Sequence, residues 1–155
     1  PGKGTTANVF LPALKGSVAP ACDDVSQQLS VAGNETILIV DDEKELLDIT
    51  GKLLSMNGYS TLYADSGEKA LEIFSANRDN IAAIVLDIMM PGMDGAETCE
   101  KLMEMDPDVK IVFSSGYSVD GLAGRLMNNP ARRFVQKPFE TYSLCRAVRE
   151  LIDNE

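Results

Sequence analysis

Short runs of apolar residues alternate along the chain with longer segments in which apolar positions return every three or four residues. The runs Thr36–Val40, Tyr59–Ala64, Ile81–Leu86, Val109–Phe113 and Ala131–Gln136 have the length and β-branched character of buried strands. Between them, Lys44–Met56 carries Leu46, Leu47, Leu53 and Leu54 on one stripe and stops at Asn57-Gly58, a residue pair suited to a helix C-cap. Gly67–Ala76 turns Ala70, Leu71, Ile73 and Phe74 inward behind Ser66, an N-cap residue type. Gly95–Met105 stops ahead of Pro107, because the residue before a proline is pushed out of the helical region. Val119–Asn128, with two glycines, and Thr141–Ile152, with Leu144, Val148, Leu151 and Ile152 on its core side, complete the series. Five strand–helix units predict an α/β fold: a five-stranded parallel sheet, doubly wound, with helices on both faces.

The chain ahead of this unit divides in two. Residues 1–14 are a Gly/Thr turn leading into an alternating strand (Ala7, Val9, Leu11) stopped by Pro12. Residues 15–34 mix Gly, Ser, Ala, Pro and Gln without sustained periodicity and read as a linker. The folded unit is expected over 35–155.

Composition narrows the function classes. There are 14 Lys and Arg against 24 Asp and Glu, no His, and a net charge of −10, all of it carried by residues 35–155. Nucleic acid and anionic membrane are therefore poor direct partners. The lack of His, with only Cys22, Cys99 and Cys145 scattered along the chain, excludes zinc spacings, a Cys–His nucleophile, a Ser-His-Asp triad and a disulfide framework. The longest apolar run, Ile81–Leu86, is far too short to cross a bilayer, and the N-terminus has no signal pattern. The expectation is a cytoplasmic location, and a start at Pro1 without Met suggests a piece of a longer chain.

In an open parallel sheet, ligands bind beyond the carboxyl ends of the strands. The residues expected there are Asp41 and Asp42, Asp87, Ser114 and Ser115, and Lys137. Three clustered carboxylates need a cation, and without His or a nearby Cys a hard, oxygen-ligated ion such as Mg²⁺ fits best. Such a site is commonly completed by a phosphate, which points to phosphoryl chemistry. Taken singly, each piece has a plainer reading. Asp41-Asp42-Glu43 could be an acidic turn at a helix start, the methionines of 89–93 gap-filling apolar residues, and Lys137 a surface lysine. Together, each at a strand end, they point to one site.

The stretches Ile37-Leu38-Ile39-Val40-Asp41-Asp42-Glu43, Val85-Leu86-Asp87-Ile88-Met89-Met90-Pro91-Gly92-Met93-Asp94-Gly95, Ser115-Gly116 and Lys137-Pro138-Phe139 resemble, in this order, the receiver domain of two-component response regulators. The resemblance covers residues 35–155 and implies a flavodoxin-like strand order 2-1-3-4-5. It implies Asp87 as phosphoacceptor, and Mg²⁺ held by Asp42, by Asp41 through water or as a second ligand, by Asp87 and by the Met89 backbone carbonyl. Lys137 would pair with Asp87 and then with the phosphoryl group, and a cis peptide would join it to Pro138. Ser115 would be the switch hydroxyl, with Ser114 its rival; the alternation after Val112-Phe113 and the small Gly116 favour Ser115. Phe134 would be the aromatic that moves with it.

The implied partners are a histidine kinase or a histidine phosphotransfer protein, with a homodimer through the fourth or fifth predicted helix left open. Gly2-Lys3-Gly4-Thr5-Thr6 and Val9-Phe10-Leu11-Pro12 are similar to the last glycine-rich box and final strand of a sensor histidine kinase ATP-binding domain. This suggests a remnant of a hybrid kinase. One strand cannot build an ATP site, so no kinase activity is expected, and any catalysis would be the receiver's own phosphorylation and dephosphorylation. Two other classes remain: an unphosphorylated pseudo-receiver serving as a protein-interaction module, and a phosphohydrolase. The latter needs a second acid two residues after the nucleophile, where Met89 stands.

Overall fold

A computed structural model describes residues 31–116 and 129–153. Strand β1 (Thr36–Val40) is buried from Ile37 to Val40 and occupies the interior of the sheet, as its unbroken apolar run requires. It pairs in parallel with β2 (Ser60–Ala64) on one side and β3 (Ile81–Asp87) on the other; β4 (Ile111–Ser115) and β5 (Arg132–Gln136) follow, giving the order 2-1-3-4-5. All pairings are parallel. The expected α/β architecture is therefore present.

Among the described residues the helices are α1 (Lys44–Ser55), α2 (Gly67–Asn77), α3 (Gly95–Met105) and α4 (Thr141–Asp153), with a 3-10 turn at Arg78–Asn80. Alternate strand residues point to opposite faces. Ile37, Ile39, Ala83, Val85, Val112 and Val135 join α1 and α4 in one buried cluster, while Leu38, Val40, Ile84, Leu86, Ile111 and Phe113 join α2 and α3 in a second. The Ser66 hydroxyl caps α2 by accepting the Lys69 N–H at 3.3 Å. The predicted helix over 119–128, the strand in 1–14 and residues 15–30 of the linker lie outside the described residues. No described helix is long and apolar enough to cross a membrane.

β2 and β5 begin one residue later than their hydrophobic runs, β3 runs one residue further so that Asp87 ends the strand, and β4 is displaced by two. β4 begins at Ile111, two residues after the expected Val109, because a turn occupies Asp106–Val109. There Asp106 accepts the Val109 N–H through its carbonyl and the Asp108 N–H through its carboxylate, both at 3.2 Å. Ser114 and Ser115 are consequently the last residues of the strand, buried within it, and do not lie beyond its end.

Candidate functional site

The parallel register lines up the carboxyl ends of β1, β3, β4 and β5 along one rim of the sheet, with Val40 opposite Leu86, Asp87 opposite Ser114 and Ser115 opposite Gln136. Asp41, Asp42 and Asp87 converge there, each offering an oxygen within 4.8 Å of the others. Asp41 and Asp87 are buried and Asp42 is exposed, so the cluster has two walls and an open side. The Lys137 ammonium enters from the end of β5, 2.6 Å from Asp41 Oδ2 and 3.2 Å from Asp87 Oδ1. Four of the residues singled out from the sequence, Asp41, Asp42, Asp87 and Lys137, thus meet, although 96 positions separate Lys137 from Asp41.

Local hydrogen bonds orient Asp41 and hold the backbone beside Asp87 and at Lys137. Asp41 Oδ1 accepts the Glu43 N–H at 2.9 Å, which orients that carboxylate against the entry of α1. The Ile88 N–H donates to the Ser114 carbonyl at 3.0 Å, and the Lys137 N–H donates to the Ser115 carbonyl at 2.8 Å, so β4 anchors both the acid and the base. The Lys137-Pro138 peptide is cis. The 88–94 loop is held at both ends: Gly95 N–H reaches the Ile88 carbonyl at 3.0 Å, and the Asp94 carboxylate caps α3 by accepting the Glu97 N–H at 2.8 Å. Met90 and Met93 point into the fold, while Met89 is 64% exposed.

Burial pushes the Asp87 carboxyl above its ordinary range; the Lys137 charge opposes this, Asp41 adds to it, and hydrogen bonds from Lys137 and the Met89 N–H favour the carboxylate. A purely acidic, oxygen-only donor set suits a small hard cation such as Mg²⁺, and the two buried acids and one exposed acid fit it. Ser114 and Ser115 are both buried beside this rim, and Phe134 is partly buried against the α2/α3 cluster.

Gly95 is a positioning residue whose role the sequence reading did not isolate. A Cβ there would collide with the Asp87 carbonyl oxygen and sit 2.7 Å from Ile88 Cα. Its only sequence signal was the Asp94-Gly95 pair at a helix start.

A profile of the response regulator receiver domain matches residues 37–149. The chain is 33% identical over 161 residues to the sensor kinase CckA of Brucella abortus, with 99% of the chain aligned to 17% of that protein. A receiver domain structure from Clostridium thermocellum superposes with a TM-score of 0.73 at 26% identity, covering 77% of this chain and 94% of the other. The response regulator TrrA of Thermotoga maritima, solved in complex with Mg²⁺ and beryllofluoride, gives 0.66 at 31% identity, covering 76% and 98%.

Proposed function

The chain belongs to the response regulator receiver family of two-component systems, and from that membership we propose that it takes a phosphoryl group from a histidine of a kinase or phosphotransfer protein onto Asp87. The observation that carries this reading is the reach of Lys137 to two acids, Asp41 and Asp87, beside the exposed Asp42. A carboxylate oxygen of Asp87 attacks phosphorus, the new O–P bond forms, and the P–N bond to the donor histidine breaks with its electron pair returning to the imidazole. Lys137 offers a positive charge to the incoming phosphoryl oxygens, and the buried walls limit water at the acceptor.

Asp41, Asp42, Asp87 and the Met89 carbonyl would hold Mg²⁺. Bound there, the ion would offset negative charge on the transferring group. Asp87 needs its carboxylate form to attack, and Lys137 favours that form against the cost of burial. Ser115 supplies the hydroxyl that answers the new charge, with Phe134 on the neighbouring strand moving in response; Phe113 and Phe134 are already register partners across β4 and β5.

The alignment to CckA extends over nearly the whole chain, including residues ahead of the receiver, and supports a hybrid histidine kinase origin with residues 1–14 as a remnant of its ATP-binding domain, 15–34 as linker and 35–155 as receiver. The chain spans only 17% of that relative, and the setting proposed for it is cytoplasmic. Intact-mass measurement after incubation with Mg²⁺ and a small acyl phosphate tests the acceptor. One phosphoryl group is expected on the wild type and none on Asp87→Ala; equal labelling of both would overturn the assignment.

A further inference from the structure

We propose that α4 is a lever joining the acidic site to the chain segment that enters the domain, so that the state of Asp87 is transmitted to residues 31–35 at the opposite rim of the sheet. The inference rests on Asp87 being the phosphoacceptor.

The entering segment is captured before β1 begins. Val31 packs on the α1/α4 cluster, and its carbonyl accepts the Tyr59 hydroxyl at 3.0 Å. The Gly33 N–H donates to the Asn57 carbonyl at 3.0 Å, and the Ser60 N–H donates to the Glu35 carbonyl at 3.0 Å. Gly58 makes this approach possible: its φ is +95°, and a Cβ there would collide with the Gly33 carbonyl oxygen. Residues 31–35 therefore lie along the α1–β2 turn.

The link to α4 is electrostatic and partly buried. Arg149 donates to Glu35 at 2.8 Å through one guanidinium nitrogen and pairs with Asp153 at 2.7 Å through another, with its side chain 16% exposed. A forked guanidinium fits two carboxylates at once, which a lysine would not reproduce. At its other end α4 starts four residues after Lys137, and Phe139 between them packs on the same cluster as Val31 and Ile152. A 13-residue helix spans about 20 Å. One rigid element thus begins four residues beyond the lysine at one rim and is paired through Arg149 with the entering segment at the other.

Spatial continuity is not coupling, so the test measures coupling directly. Amide hydrogen exchange is followed in the full chain with and without Mg²⁺ plus beryllofluoride as probe, in the wild type, Arg149→Met and Glu35→Gln. The Ile88 and Gly95 amides report the site, Gly33 and Ser60 report the clamp, and Ile84 reports global opening.

In the wild type the probe is expected to change exchange at both the site and the clamp. Arg149→Met is expected to speed Gly33 and Ser60 exchange about tenfold, to leave Ile84 protected, and to abolish the clamp's response to the probe. Glu35→Gln, which keeps a hydrogen-bond acceptor, gives the same result in weaker form and serves if Arg149→Met does not fold. Response at Ile88 and Gly95 with none at Gly33 and Ser60 would overturn the lever and leave the acceptor reading standing. An undiminished clamp response in both variants would also overturn it. No response at any amide would overturn the acceptor reading and the lever with it.

Discussion

Lys137 holds Asp41 more tightly than it holds Asp87: its Nζ lies 2.6 Å from the first and 3.2 Å from the second. The other oxygen of Asp41 accepts the Glu43 N–H, so both oxygens of this proposed metal ligand are engaged by the protein itself. A cation entering the cluster must share Asp41 with the ammonium. The same lysine proposed to serve the phosphoryl group would therefore oppose metal binding.

Replacing the lysine should separate these effects. Lys137→Met is expected to bind Mg²⁺ roughly tenfold more tightly, since a unit charge a few ångströms away is removed; the figure is reduced for solvent screening. Phosphoryl labelling by a small acyl phosphate should fall sharply in the same variant. Titration calorimetry at low ionic strength checks the first effect and intact mass the second. Equal or weaker Mg²⁺ binding would show that the ammonium does not compete.

Asp87 makes stability depend on pH. Burial, the largest influence, raises its carboxyl pKa, and Lys137 only partly offsets this. The folded chain therefore binds its proton more readily than the unfolded chain. As pH rises from the unfolded pKa through the folded one, the folded state loses stability, so the penalty grows from acid towards neutral pH. Without divalent cation, Asp87→Asn should melt a few degrees higher than the wild type at neutral pH. The gap should close below the ordinary carboxylate range near pH ~4, where both states of the wild type are protonated. Excess Mg²⁺ should narrow it from the other side by stabilising the wild type more. Calorimetric scans across pH measure this, and a gap that widens on acidification would contradict it.

Gly95→Ala tests the backbone beneath Asp87. The neighbours a Cβ would meet are the Asp87 carbonyl oxygen and Ile88 Cα, both backbone atoms that no rotamer change can move. The variant should lose about 2 kcal/mol or more of stability and displace Asp87 from Lys137. Denaturant unfolding measures the loss. Wild-type stability together with wild-type labelling would mean that the loop yields without cost.

Much of this was legible in the sequence because β1 and β3 are uninterrupted apolar runs with charged residues at their ends. The side chains after Val40 and Leu86 could only emerge at the sheet's rim, and Lys137 follows β5 in the same way. The start of β4 was less legible, since Val109–Phe113 is apolar throughout and its phase is set by the Asp106 turn. The Arg149–Glu35 pair joins residues 114 positions apart on elements whose charges look solvent-facing in sequence. Asp41's second engagement, with Glu43, depends on a rotamer that no pattern of residue types reveals.

Met89 bears on how long a phosphoryl group would last on Asp87, the proposed acceptor. Its backbone N–H supports the acceptor carboxylate, while its side chain stands 64% exposed at the rim and offers neither acid nor amide to orient an attacking water. Hydrolysis of the acyl phosphate should therefore be slow, with a half-life well beyond seconds. Met89→Glu changes only the side chain, and because that side chain is mostly in solvent the fold should tolerate it. A carboxylate two residues from the proposed acceptor can take a proton from water as it approaches phosphorus, and well-placed general-base assistance is worth about 10²-fold or more. Repulsion between that carboxylate and the phosphoryl oxygens works against the gain, so the expected acceleration is about three- to tenfold. Met89→Gln, which orients water without adding charge, should fall on the same side of the wild type. The decay of the phosphorylated mass with time, at fixed Mg²⁺ and pH, gives all three rates. A wild-type half-life of seconds, or variants that decay no faster than the wild type, would remove the side chain at position 89 from control of the signal's lifetime.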